Sequence, residues 1–307
     1  MTETELKPQM QDLSEDPVED LSAGLVRWIR KCNQYDLSRY FPFYVGKTAL
    51  GWVAKKDADR FASEPNIFIV SQNKISLHPR LTTTKTRNET LAFILYRWKK
   101  KGWVTGWRNE FYRASTDFHQ EPLFVLERSA SQLFGLNNYG VHLNGYVRKK
   151  DGLYLWIAKR DRNRPRFPGM LDHIVAGGLT AGETAAETLV RECAEEAAIP
   201  ESLASQATAT GLVTLFMEED DCIKRDVIFT YDLELPESFV PHNTDGEVEN
   251  FKLWPVKHVM EMIAQTDKIK LNCNLVMIDF LVRHGFLTPE NRYYSEILAG
   301  LRAGISN

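Results

Sequence analysis

Cysteine is scarce in this 307-residue chain. Cys32, Cys193, Cys222 and Cys273 lie far apart, with no CxxC pair. That excludes a disulfide scaffold and argues against a structural zinc site. Long apolar runs are also missing. The nearest, Asn274–Val282, is short of the ~18 residues a membrane span needs and is interrupted by Asp279. Neither sign of charge dominates: 38 Lys and Arg stand against 41 Asp and Glu, a net charge of −3. A balance so close to neutral does not indicate nucleic-acid binding. Repeats and low-complexity segments are lacking too, and a collagen-like fibre is ruled out. Basic residues are nearly absent from the first twenty positions, which hold seven acids and one lysine. Residues 1–20 are therefore expected to be a disordered acidic tail, and a basic organellar or secretory leader is not indicated. On that ground the expected location is cytoplasmic.

What is present is ordinary globular chemistry, with 43% hydrophobic and 26% charged residues. The length suggests about two domains. The first spans residues 21–135. It opens with an amphipathic helix in which Leu25, Trp28, Ile29 and Cys32 recur at three- and four-residue steps. Short strands follow at Phe41–Val45, Ile67–Val70 and Lys74–Leu77, then a helix at Glu89–Lys101. From residue 136 the pattern changes. GVHLNGYVRK, the turn KDG and LYLWIAKR read as a hairpin. Further strands are expected at Thr208–Met217, Val227–Leu233 and Asn250–Trp254, with helices within Thr180–Ile199 and at Val256–Thr266. This second unit, residues 136–270, reads as an α/β/α sandwich around a mixed sheet, with residues 271–307 as helices packed on it.

The segment GGLTAGETAAETLVRECAEEAAIP carries the chemistry. From Gly177 it runs five residues to Glu183, seven more to Arg191-Glu192, then Cys193, one residue, and Glu195-Glu196. On a helix Glu192, Glu195 and Glu196 share a face. No lysine interleaves with them as on a solvated face, so three converging carboxylates make sense around a divalent cation. Gly177, Gly178 and Thr180 precede the helix, and a glycine loop there can approach a phosphate closely. Glu187, four residues before Arg191, is a candidate to position that arginine.

The segment resembles the signature of the Nudix hydrolases, G-x5-E-x7-R-E-U-x-E-E-x-G-U, where U is a bulky aliphatic residue. It departs from it at Ala198, where glycine is usual, and at Cys193, an aliphatic position. The resemblance implies a Nudix α/β/α sandwich, Mg²⁺ or Mn²⁺, and hydrolysis of a small-molecule diphosphate. It assigns Glu192, Glu195 and Glu196 as metal ligands, with Gly177 counted at the metal site. Glu192 is also the candidate base, Arg191 the residue that orients it, and Glu183 a supporting carboxylate. A broader likeness covers FVLERSASQLFGLNNYGVHLNGYV, GWRNEFY, FPGMLDHIVAGG and DFLVRHGFLTPENRYYSEI. These are similar to a Nudix subgroup with an extra N-terminal domain, related to thiamine pyrophosphokinase. That likeness implies removal of phosphate from thiamine diphosphate and its oxidised analogues. A nucleoside-diphosphate derivative such as ADP-ribose is the alternative substrate. An isopentenyl-diphosphate isomerase would need a cysteine facing the metal pocket, whereas Cys193 falls on the core side of the helix.

Other residues are candidates for the substrate. Lys159, Arg160, Arg162, Arg164 and Arg166 form a basic run leading toward the glycines, and Arg160 and Arg162 are expected to bind phosphate. Strand alternation puts His142, Asn144 and Tyr146 on one face, and the first two are candidates to hold a heterocycle. Trp107 and Arg108, within a Trp-rich segment that also holds Glu110 and Tyr112, could stack on a ring. Glu218, Glu219 and Glu247, from the acidic stretches that also hold Asp245 and Glu249, are candidates for an extra metal ligand or base. Oligomeric state is not readable from the chain.

Overall fold

The computed structural model describes residues 17–244 and 246–306. The first sixteen residues of the expected tail lie outside that range. Helix α1 (Pro17–Lys31) starts earlier than the apolar periodicity indicates. Its apolar stripe is buried, and the Trp28 indole donates to the Ile263 carbonyl at 2.7 Å.

The N-terminal unit has a four-stranded sheet. β1 (Tyr40–Val45) and β2 (Thr48–Ala54) form a tight hairpin that turns at Gly46 with φ +60°. After α2 (Ala58–Ala62) come β3 (Phe68–Val70) and β4 (Ile75–Leu77), giving the order β2-β1-β4-β3. Helix α3 (Thr84–Lys100) opens on a capping box of Thr83 and Thr86 and buries Leu91, Ile94, Leu95 and Trp98. β5 (Phe111–Ala114) and β6 (Phe124–Glu127) make a separate antiparallel pair, followed by the single turn α4 (Arg128–Ser131). The core is aromatic: Phe43, Phe61, Phe68, Trp98 and Phe134 meet mostly edge to face, the arrangement favoured by ring quadrupoles.

The second unit holds β7 (Asn137–Lys149), β8 (Gly152–Arg160), β9 (Leu171–His173) and β10 (Val175–Gly178). These are followed by α5 (Ala185–Ala197), α6 (Glu201–Ala204), β11 (Thr208–Glu219), β12 (Cys222–Glu234) and β13 (Val248–Pro255). Helices α7 (Val256–Gln265), α8 (Leu271–Arg283) and α9 (Tyr294–Gly300) close the chain. The strand order is β11-β12-β7-β8-β13, with β12 parallel to β7, so the sheet is mixed. The expected hairpin exists, but β7 and β8 pair only from Tyr146↔Leu155 to Lys149↔Gly152. Beyond that they splay, and β10 pairs with β7 while β9 pairs with β8. Gly177 and Gly178 therefore end a strand rather than forming a loop.

Helices cover both faces, giving the α/β/α sandwich that the pattern of elements predicts. On one face α5 packs Leu189, Cys193 and Ala197 on Val141, Leu143 and Val175. On the other, Leu155, Ile157, Val213 and Ile228 meet α7 and α8. α1 joins this second layer, with Leu25 and Ile29 in one cluster with Val259, Ile263 and Val276. The first helix thus packs on the sandwich, although its sequence position groups it with the N-terminal unit.

Candidate active site

Local signals fix helix α5. The Thr184 side chain accepts from the Glu187 amide, and the Glu187 carboxylate takes the Thr184 amide at 2.9 Å, a reciprocal cap. Glu187 is thereby committed to the helix start, and the pair with Arg191 suggested by its spacing is not made. At the other end Ala198 adopts the left-handed conformation, φ 52° and ψ 32°. Its amide and that of Ile199 close on the Cys193 carbonyl. This is the position where the signature has glycine, and the geometry gives the reason. Cys193 is buried under the sheet, and burial pushes its thiol up to about 12. A neutral core thiol does not face the carboxylates, as its place on the helix predicts.

Arg191 organises the acidic face. Its Nη2 donates to Glu183 Oε2 at 3.1 Å, and its Nη1 to Glu192 Oε1 and Glu195 Oε2, each at 3.0 Å. Glu183 also accepts from the Thr188 hydroxyl at 2.8 Å. Burial would raise the Glu183 carboxyl, but Arg191 and the threonine hydroxyls outweigh it and hold Glu183 below its usual range. Glu196 reaches the outer edge of β10 and accepts the Ala176 amide at 2.8 Å. Glu192 lies against Gly177 so closely that a Cβ there would stand 2.3 Å from its Cγ and Cδ. The glycine that begins the signature is thus a steric requirement of the carboxylate fifteen residues later.

Burial raises both Glu192 and Glu196, with Arg191 partly offsetting it at Glu192 and repulsion from Glu192 adding to it at Glu196. Adjacent half-buried carboxylates that resist ionisation favour a cation beside them. The all-oxygen donor set of Glu192, Glu195 and Glu196 has the chemistry of a hard divalent-ion site, but among the described residues the three carboxylates are not gathered within 4.8 Å of one another, and Glu195 is exposed and paired with Arg191.

Outside the helix the candidates scatter. His142 and Asn144 are buried on the face of β7 away from α5 and have no surface for a substrate. His142 Nδ1 lies 3.1 Å from His173 Nδ1, and Asn144 donates to Asp232 at 2.9 Å. With Cys273 these two histidines offer three ligand atoms within 4.8 Å of one another. The thiol, however, is 2.7 Å from Asp172, which also holds Lys270 and Arg160, each at 3.0 Å. Arg160 is therefore tied into a buried network, while the exposed Arg162 pairs with Glu249. Trp107 packs on α3, its indole donating to Asn109 at 2.8 Å, and the Arg108 side chain points to solvent. Neither reaches the carboxylates. Glu218 pairs with Arg39, Glu219 with Lys224 and Arg166, and Glu247 with Arg164, so each is held by a cation away from α5. Asp245 lies outside the described residues.

The Trp-rich segment does reach the site, but through residues other than Trp107 and Arg108. The Phe111 carbonyl accepts from Ala181 at 2.7 Å, in the loop leading to α5. The Tyr112 hydroxyl occupies the space that a Gly178 Cβ would fill. Arg128 lies over the Tyr112 ring, 5.3 Å from its centroid, and pairs with Glu110 at 2.7 Å. Arg128 lies in the FVLERSASQLF stretch of the broader likeness, but its sequence context gives it no role of its own. A surface cavity of about 490 Å³ between β13 and α7 touches none of these groups.

Two family comparisons divide the chain. Residues 24–138 match a domain of unknown function, DUF4743, and residues 140–273 match the NUDIX domain. Nudix hydrolase 20, chloroplastic, of Arabidopsis thaliana is 41% identical over 290 residues, covering 91% of this chain and 78% of that protein. Nudix hydrolase 24, chloroplastic, of the same plant is 39% identical over 285 residues, covering 92% and 78%. A solved structure of a Deinococcus radiodurans protein matches 58% of this chain and 100% of its own, at 21% identity and a TM-score of 0.42.

Proposed function

The chain belongs to the Nudix hydrolases, and on that premise we propose that it is a Mg²⁺- or Mn²⁺-dependent diphosphatase acting on thiamine diphosphate and its oxidised analogues. The observation that carries the reaction class is the Arg191-centred set of Glu183, Glu192 and Glu195, with Glu196 alongside on α5, hydrogen-bonded to the Ala176 amide of β10. The substrate reading is supported by the sequence likeness to the thiamine-related subgroup. It gains from the contact of the N-terminal unit with the box, since a site at a domain junction is a common place for selecting a leaving group.

Held by Glu192, Glu195 and Glu196, the cation would supply charge neutralisation and Lewis acidity at the diphosphate. Water attacks the terminal phosphorus, the bridging P–O bond breaks, and thiamine monophosphate leaves with inorganic phosphate. Glu192 takes the proton of that water. Arg191 keeps the Glu192 carboxylate aimed, and Glu183 and Thr188 keep Arg191 in place.

Phosphate release from thiamine diphosphate, oxothiamine diphosphate and oxythiamine diphosphate, against nucleotide release from ADP-ribose, tests this reading. A kcat/KM at least tenfold higher for the thiamine-type substrates supports it. A preference for ADP-ribose makes the protein a nucleoside-diphosphate-derivative pyrophosphatase instead.

A further inference from the structure

The box supplies anions and very little positive charge. Arg191 already spends its two terminal nitrogens on three carboxylates. The basic run from the end of β8 is also engaged, with Arg160 on Asp172, Arg162 on Glu249, Arg164 on Glu247 and Arg166 on Glu219. A diphosphate brings several negative charges and oxygens beyond those a divalent ion would hold, and the box itself offers them no free basic side chain.

We propose that the N-terminal domain completes the phosphate site, with Arg128 as the cation that receives the substrate's diphosphate across Gly177-Gly178 from the box glutamates. Deepening the hydrolase reading, this inference rests on it. Glu192 fills the space beside Gly177, and Tyr112 that beside Gly178. Neighbouring strand residues face opposite ways, so the two domains flank one stretch of backbone. The Arg128 guanidinium carbon lies 3.6 Å from where a Gly178 Cβ would be. Its side chain is 42% exposed and has one carboxylate partner among the described residues, Glu110. A guanidinium has five N–H donors, which leaves a fork for a phosphate.

The arginine is held in place. Its amide donates to the Glu110 carbonyl at 2.8 Å, and the ring of Tyr112 lies beneath it. Glu127 accepts the amides of Arg108 and Asn109 at 2.8 and 3.0 Å, which fixes the turn before β5. The Phe111–Ala181 hydrogen bond then ties that strand to the box loop.

The test is calorimetric binding of imidodiphosphate, a non-hydrolysable diphosphate, to the full chain with Mg²⁺. Arg128→Ala should weaken binding roughly tenfold to a hundredfold, the worth of a charged hydrogen bond, and raise KM in proportion. Arg128→Lys, which keeps the charge and loses the fork, should fall between that variant and wild type. Wild-type affinity in a folded Arg128→Ala, or in Arg128→Lys should the alanine variant not fold, overturns the proposal. Failure of wild type to hydrolyse any thiamine-type substrate would sink the substrate reading and leave this binding result standing.

Discussion

Gly177→Ala isolates geometry from chemistry, because it alters no charged group. Gly177 is not among the residues of positive φ, so the backbone accepts alanine without strain. The added methyl would sit 2.3 Å from Glu192 Cγ and Cδ and 2.4 Å from Oε1, where ordinary contact begins near 3.4 Å. The yielding atoms are the end of a flexible side chain, so Glu192 must retreat by roughly 1 Å while the fold gives up little. A misplacement of that size costs about 10²-fold in rate when the group must meet a reacting atom. Steady-state phosphate release, beside thermal melting of the same preparation, is the assay. The expected outcome is a kcat about a hundredfold down with a melting temperature within a few degrees of wild type. A variant within twofold of wild-type kcat would refute the argument that Gly177 exists to admit Glu192.

Three further outcomes follow from the geometry. Ala198→Gly relieves a left-handed alanine and should stabilise the protein by about 0.5–1 kcal/mol in urea denaturation. A loss of stability would mean that the helix end is held by its neighbours rather than strained. Arg191→Ala should lower kcat far more than it raises KM, since the side chain aims carboxylates; a KM effect alone would put it on the substrate. Burial beside Lys270 holds His173 down to about 4, with Asp172 opposing the shift, whereas in the unfolded chain it takes a proton near 6.5. Its contribution is therefore complete above about pH 6.5 and fades as pH falls toward 4, by up to about 3 kcal/mol. His173→Gln should flatten that part of the stability profile, and an unchanged slope would assign it to other groups.

The site was legible where it is local and obscure where it is not. Glu192, Glu195 and Glu196 share a face because three and four residues make one helical turn, whatever the rest of the fold does. Gly177 was legible as part of a motif, but its closeness to Glu192 follows from β10 running beside α5. Glu187 illustrates a conflict between two local rules. Four-residue spacing suggested a pair with Arg191, and the capping box won because it satisfies the otherwise unpaired amides at the helix start. Alternation placed His142 and Asn144 on one face correctly, yet could not say that α8 covers that face. α1 shows the same limit, since an amphipathic stripe announces a partner without naming it, and the partner lies over 200 residues away. Tyr112 and Arg128 meet the box only because short strands β5 and β6 pair and dock, and four-residue strands leave little periodicity to read.

The account stands most directly on one measurement: phosphate release from thiamine diphosphate by wild type and by Glu196→Gln, each with Mg²⁺ and after chelation by EDTA. Wild type with Mg²⁺ should turn over. Chelation should abolish that turnover, and restored Mg²⁺ should recover it. Glu196→Gln, which keeps the shape and removes the charge, should be at least a hundredfold slower than wild type with Mg²⁺ while remaining folded. Full turnover by the folded variant, or by wild type in EDTA, would contradict the assignment of the box carboxylates to a divalent cation.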